Sequence, residues 1–311
     1  MQLDQCLPDT LRVAPVTITP ITAGLSGAGV YRVGAGEQTF VLKVSRPDEP
    51  VAAWHAKLRI RQLAGDAGVT PRIVHADVGR RSVVTEFVVD RSFPAFYGDP
   101  RTRDAAVAQL GQLIRSVHDL PAPDGVDTID PRHALLATWS QLGDGFSVPG
   151  FAAAVIEQLC AEAPPPSERL PVLSHNDVNP TNVVYDGERL QLLDWDTAGR
   201  NDPLYDLAAI AMFVRMDADT CRRLMSAYDG ESVSEIPARF SYNRRLVAAL
   251  CGATFLQLAR TTGHSGATTE TLDSAIPLGE LYQRMRSGAV TMMNADGRWQ
   301  FGLALIREAV V

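Results

Sequence analysis

Between Ser174 and Asp196 the chain reads SHNDVNPTNVVYDGERLQLLDWD, and no other stretch limits its fold as tightly. A polar loop carrying Asp177 and Asn182 passes into a short apolar run at 183–185. An Asp186-Gly187 pair follows, then a second apolar run at 190–193 that ends in Asp194-Trp195-Asp196. Asp-Gly between two apolar runs is a hairpin signal. Because a hairpin returns its second strand to the start of its first, Asp194 is expected back beside Asn182. A carboxylate and an amide oxygen then meet at one end of a small ladder, a hard-oxygen set suited to a divalent cation. The plainer alternative is an Asn-rich turn followed by a solvated loop start.

The rest of the chain divides in character. Up to about residue 90, short β-branched runs at 16–21, 29–33, 38–44, 72–78 and 82–89 are separated by turns and by one helical stretch at 51–68, where Trp54, Leu58 and Leu63 recur at helical spacing. Beyond it the pattern is helical, at 104–118, 149–163, 204–216, 219–229, 242–261 and 270–286, with only 183–193 reading as strand, turn and strand. The expected architecture is α+β: a strand-rich part at 1–89 and a larger helical part at 90–311, with a ligand-binding cleft where they join.

Composition narrows the function. With 311 residues, 46% hydrophobic and 21% charged, the chain can bury an enzyme-sized core. A formal charge of -7 argues against a phosphate-backbone partner, so no nucleic acid is expected, and a cationic or neutral small molecule fits better. The four cysteines form no C-x-x-C pair, and they read as reduced packing residues. No basic segment followed by an apolar run opens the chain, and no apolar run reaches a membrane span. A cytoplasmic protein is expected.

Two further features bear on the site. In LSGAGVYRV, Gly27 and Gly29 lie between two predicted strands, where a backbone without Cβ can bring N–H groups to phosphate oxygens and Ser26 can add a hydroxyl. In FVLKV, Lys43 occupies an inward-alternating strand position, from which an ammonium can hold nucleotide phosphates. Alone, the first is an ordinary turn and the second a surface lysine. In this order with Asp177, Asn182 and Asp194, they compose a phosphoryl-transfer site, with Asp177 accepting the proton of an attacking hydroxyl.

HNDVNPTNVVYDGERLQLLDWDTAGRNDPLYDLA resembles the catalytic core of the aminoglycoside phosphotransferase and choline kinase superfamily, and SGAGVYRV and FVLKV resemble its nucleotide loop and lysine strand. The likeness is carried by 24–44 and 172–213 and weakens after about 230. It implies a protein-kinase-like two-lobe fold that uses Mg²⁺ and ATP, with GTP open. Asp177 is then the base, Asn182 and Asp194 are the metal ligands, and Lys43 contacts the phosphates. Glu86 and Val88 would bind the nucleotide base through their backbone. His175 would orient the catalytic loop, and Asp206 would buttress it. Such kinases usually pair the strand lysine with a glutamate on the first helix, but AAWHAKLRIRQLA offers His55 or Ala56 near that place, so the partner of Lys43 is open. HND and DWD are more similar to choline, ethanolamine and thiamine kinases than to antibiotic kinases. An ammonium-bearing acceptor would suit Trp195, Asp196, Tyr205 and Tyr242, although each also suits a structural role. An aminoglycoside acceptor and a nucleotide-binding pseudokinase are the alternatives.

Overall fold

The computed structural model describes residues 2–13, 15–21, 29–143 and 145–310. By compactness the chain divides into two units, Met1–Asp127 with Val172–Arg200 and Ser226–Glu231, and Thr128–Pro171 with Asn201–Met225 and Ser232–Val311.

The first unit is built on an antiparallel sheet of β1 (Val16–Pro20), β2 (Gly29–Ala35), β3 (Gln38–Val44), β4 (Ile73–Asp77) and β5 (Ser82–Glu86), in the order β1-β2-β3-β5-β4. Alternation along β3 sends Phe40, Leu42 and Val44 into a core with Cys6, Leu7 and Val33, which leaves Lys43 on the opposite face. Lys43 is paired with Val83 of β5 and shares that face with it. Val83 in turn packs against Trp54 and Leu58 of α1 (Val51–Asp66). The helix that follows β3 therefore covers the face that carries the lysine.

The same unit contains α2 (Phe93–Gly98) and α3 (Arg103–His118), which covers the helix expected at 104–118 and buries Val107, Leu110, Ile114 and Val117 on one stripe. Strands β6 (Val172–Ser174) and β9 (Gly199–Asn201) form one two-stranded ladder, and β7 (Val183–Tyr185) and β8 (Leu190–Leu192) another. In the β7–β8 hairpin Val183 pairs with Leu192 and Tyr185 with Leu190. Gly187 takes φ 108° in its turn, and Asp186 Oδ1 accepts the N–H groups of Glu188 and Arg189, each at 2.8 Å.

Helices dominate the second unit: α4 (Pro131–Ser140), α5 (Gly150–Ala161), α6 (Pro203–Phe213), α8 (Ala238–Thr261), α9 (Leu278–Arg286) and α10 (Ala295–Glu308). The remaining helix, α7 (Ala218–Asp229), crosses the boundary between the units. Against α10, α8 packs closely enough that a Cβ on Gly252 would lie 2.8 Å from the Gly302 carbonyl oxygen. The expected helix at 270–286 begins only at Leu278, because Pro277 closes the segment before it to helix. Helices α2, α4 and α10 were not expected from periodicity. Among the described residues no helix is long and apolar enough to cross a membrane.

Candidate active site

Backbone pairing assembles the site. Beyond the β7–β8 ladder the Leu193 N–H donates to the Asn182 carbonyl at 2.8 Å, which carries the hairpin one step further and sets Asp194 beside the loop that holds Asp177. The adjacent strand is anchored by the Leu192 N–H on the Val69 carbonyl at 2.8 Å, just past the end of α1. Asp194 itself adopts φ 59°. That left-handed conformation costs a side chain about 1–3 kcal/mol, less for Asp than for bulkier residues, and such strain concentrates at functional sites.

Asp177 is gripped by two amides. Asn182 Nδ2 donates to its Oδ2 at 2.8 Å and to its carbonyl at 2.9 Å, while Asn179 Nδ2 donates to its Oδ1 at 2.9 Å. Asn179 is held in turn as the acceptor of the Thr181 N–H and hydroxyl. Burial pushes the Asp177 carboxyl above its ordinary value, with a smaller contribution from the negative Asp194, against the neighbouring His175 and the hydrogen bonds from the two asparagines. A carboxyl raised in this way is a better proton acceptor than a solvated one.

His175 is fully buried and bridges the two arms of the site. Its Nδ1 lies 3.3 Å from the Asp177 N and its Nε2 lies 2.9 Å from the Leu193 carbonyl oxygen. The imidazole stands edge-on to Trp195 at 4.9 Å, and the Trp195 indole donates to the Leu192 carbonyl. His175 thus links the Asp177 backbone to the residue that precedes Asp194.

Lys43 finds its partners away from α1. Its Nζ lies 2.7 Å from Asp194 Oδ1 and 2.7 Å from Asp196 Oδ2, and Arg61 of α1 caps Asp196 Oδ1. Burial alone would raise the Asp196 carboxyl, but Arg61 and Lys43 hold it below its ordinary range. Sequence reasoning did not find Arg61. Its signal was positional, because Trp54, Leu58, Arg61 and Gly65 recur on one stripe and a charge among buried neighbours calls for a buried partner.

The donor set around the loop is hard oxygen. With Asn182 Nδ2 committed to Asp177, its Oδ1 is the atom left to a cation, and Asp194 keeps Oδ2. Among the described residues no three His, Cys, Asp or Glu side chains form a metal cage. Mg²⁺ typically takes one or two protein oxygens and completes its shell from phosphates and water.

The other expected positions fall as follows. Ser26 and Gly27 lie outside the described residues, and Gly29 opens β2 opposite Val44. Glu86 ends β5 with its N–H on the Arg72 carbonyl, whereas the Val88 N–H makes no backbone hydrogen bond within the described chain. A cavity of about 490 Å³ borders Glu86–Val89 together with Phe40, Val74 and Gln191. Lys43, Asp177 and Asp194 do not line it. Asp206 is fully buried on α6. The aromatic rings suggested for an acceptor are packed away: Trp195 is 2% exposed, and Tyr205 and Tyr242 lie in the helical core of the second unit. Asp196, the fourth, has both oxygens in ion pairs. An ammonium ligand has no open aromatic face at these three rings in this structure.

The chain thus carries an antiparallel sheet with a strand lysine and, between helical segments, a loop-hairpin array of oxygens. The sequence pattern of the phosphotransferase enzyme family matches residues 17–250, and the chain belongs to that family, the superfamily of aminoglycoside phosphotransferases and choline kinases. Thiamine kinase of Escherichia coli is 25% identical over 212 residues, 68% of this chain and 70% of that protein. Protein LicA of Haemophilus influenzae is 35% identical over 54 residues, so the match spans about a fifth of its length. Among solved structures, a choline/ethanolamine kinase family protein from Mesorhizobium loti superimposes with a TM-score of 0.61 at 20% identity, covering 99% of each chain, a likeness of fold.

Proposed function

We propose that this phosphotransferase is an ATP-dependent kinase of a small, amine-bearing alcohol, of the class of choline, ethanolamine or thiamine. The observation that carries the proposal is the array in which Asn182 binds Asp177 while Lys43 binds Asp194 across one hairpin end. Residues 1–89 would hold the nucleotide, with Ser26, Gly27 and Gly29 over the phosphates and the backbone of Glu86 and Val88 on the base. Residues 90–311 would supply the catalytic loop and the acceptor site, with Asp206 buttressing that loop.

In the proposed reaction the acceptor oxygen forms a bond to the γ-phosphorus, the bridging oxygen between β and γ leaves with the nucleoside diphosphate, and Asp177 takes the hydroxyl proton. Such transition states are loose, so the protein contributes mainly position and charge. Lys43 neutralises phosphate oxygens, and Asn179 and Asn182 hold the Asp177 carboxylate toward the hydroxyl. Asn182 and Asp194 would hold Mg²⁺, which when bound neutralises charge on the β- and γ-phosphates.

The acceptor class is supported by HND at 175–177 and DWD at 194–196, by the thiamine kinase relative, and by the net charge of -7, which favours cationic ligands. Nucleoside-diphosphate release should be measured with ATP and with GTP against choline, ethanolamine, thiamine, homoserine and a panel of aminoglycosides. Turnover on the first three confirms the reading. Turnover confined to aminoglycosides replaces its acceptor, and Mg²⁺-independent nucleotide binding without any turnover replaces it with a pseudokinase.

A further inference from the structure

We infer that Asp196, clamped by Arg61 of α1, is the positioning residue for Lys43, doing from the hairpin what a glutamate does from the first helix in related kinases. The only acid within α1 is Asp66, which is exposed, and Glu49 ahead of the helix is occupied by Lys57 at 2.7 Å. The helix face toward Lys43 therefore offers a cation and no anion. Lys43 and Arg61 are 15% and 12% exposed at their side chains, so each needs a counter-charge within the protein. Asp196 answers both, one oxygen to each.

The two carboxylates on Lys43 are not equivalent. Asp194 gives Lys43 one oxygen and keeps the other, whereas both oxygens of Asp196 are committed. When phosphates arrive, Lys43 can leave Asp194 and remain anchored to Asp196. The polarity of the lysine clamp is thereby reversed: the helix contributes the cation, and the segment after β8 contributes the acid.

The inference rests on the phosphotransfer reading for its kinetic arm and not for its stability arm. Asp196→Asn, Asp196→Glu, Arg61→Met and the double variant Arg61→Met/Asp196→Asn should be compared as full-length protein. Asp196→Asn is expected to lower kcat by about 10- to 100-fold, the range for a lost orienting partner, with the acceptor KM and the half-saturating Mg²⁺ unchanged. Arg61→Met should cost less and add nothing in the Asp196→Asn background, because the two act as one unit. Asp196→Glu should recover part of the loss. Melting temperatures in chelator should show the same non-additivity, and also between Lys43→Met and Asp196→Asn, whether or not the acceptor is known. Native kcat in Asp196→Asn, or additive losses, overturn the inference. A deficit that saturating Mg²⁺ repairs also overturns it, by making Asp196 a metal ligand. A native protein without turnover defeats the functional reading alone, and the stability cycles then decide the clamp.

Discussion

Replacing Asp177 by Ala separates chemistry from architecture. The side chain accepts hydrogen bonds at 2.8 and 2.9 Å from Asn182 and Asn179. Hydrogen bonds to a charged group are worth about 1.5–3 kcal/mol each, but both asparagines are half-buried and can turn to water in the variant. Removing a carboxyl that burial already disfavours offsets part of the loss. The net stability change should stay within about 1 kcal/mol, a shift of a few degrees in Tm for a chain of this size. Loss of the proton acceptor costs about 10²- to 10⁴-fold in rate, or roughly 2.7–5.4 kcal/mol of barrier. Nucleoside-diphosphate release at saturating ATP and acceptor measures the rate, and nucleotide titration together with a thermal melt measures the rest. A variant that keeps kcat within tenfold of native refutes the assignment. A variant that loses nucleotide affinity and more than about ten degrees of Tm with its activity shows a structural residue.

Asn182→Ala removes a metal oxygen and the donor to Asp177, so a Mg²⁺ titration of rate should show the half-saturating concentration rising by at least about tenfold; an unchanged value excludes Asn182 as a ligand. Gly252→Val would drive a side chain into the Gly302 carbonyl and Ile306, and should cost about 3 kcal/mol by overpacking, read as a lowered denaturation midpoint. Asp186 is pulled up by burial, but the N–H groups of Arg189 and Glu188 hold its folded pKa below the ordinary value of an aspartate. A depressed carboxyl stabilises above its unfolded pKa and loses that contribution as pH falls through the folded one. The Tm deficit of Asp186→Asn should therefore be full at neutral pH and shrink below about pH 4, and a deficit independent of pH contradicts this.

Much of the site was legible because its spacing is local. The DG turn, the apolar runs on either side and the acids after them dictate a hairpin from residues within two dozen positions, and Leu193 on Asn182 closes it. Strand alternation likewise put Lys43 on the face opposite Phe40 and Leu42. Helix α10 was illegible for the opposite reason: residues 301 to 306 are all buried, so no polar face breaks the run into a period. Helix α4 is short, and its evidence lies in Asp130 capping the N–H groups of Arg132 and His133 ahead of a periodic signal too brief to stand alone.

By itself, then, the sequence determined the β7–β8 hairpin, the face of β3 that bears the lysine, and the loop that carries Asp177, since each depends on neighbours along the chain. Only the tertiary structure decided which charges meet. Arg61 and Asp196 are separated by 135 positions and come together because α1 packs over Val83, the cross-strand partner of Lys43. Local spacing carries no information about that meeting, because it is set by which apolar faces bury each other.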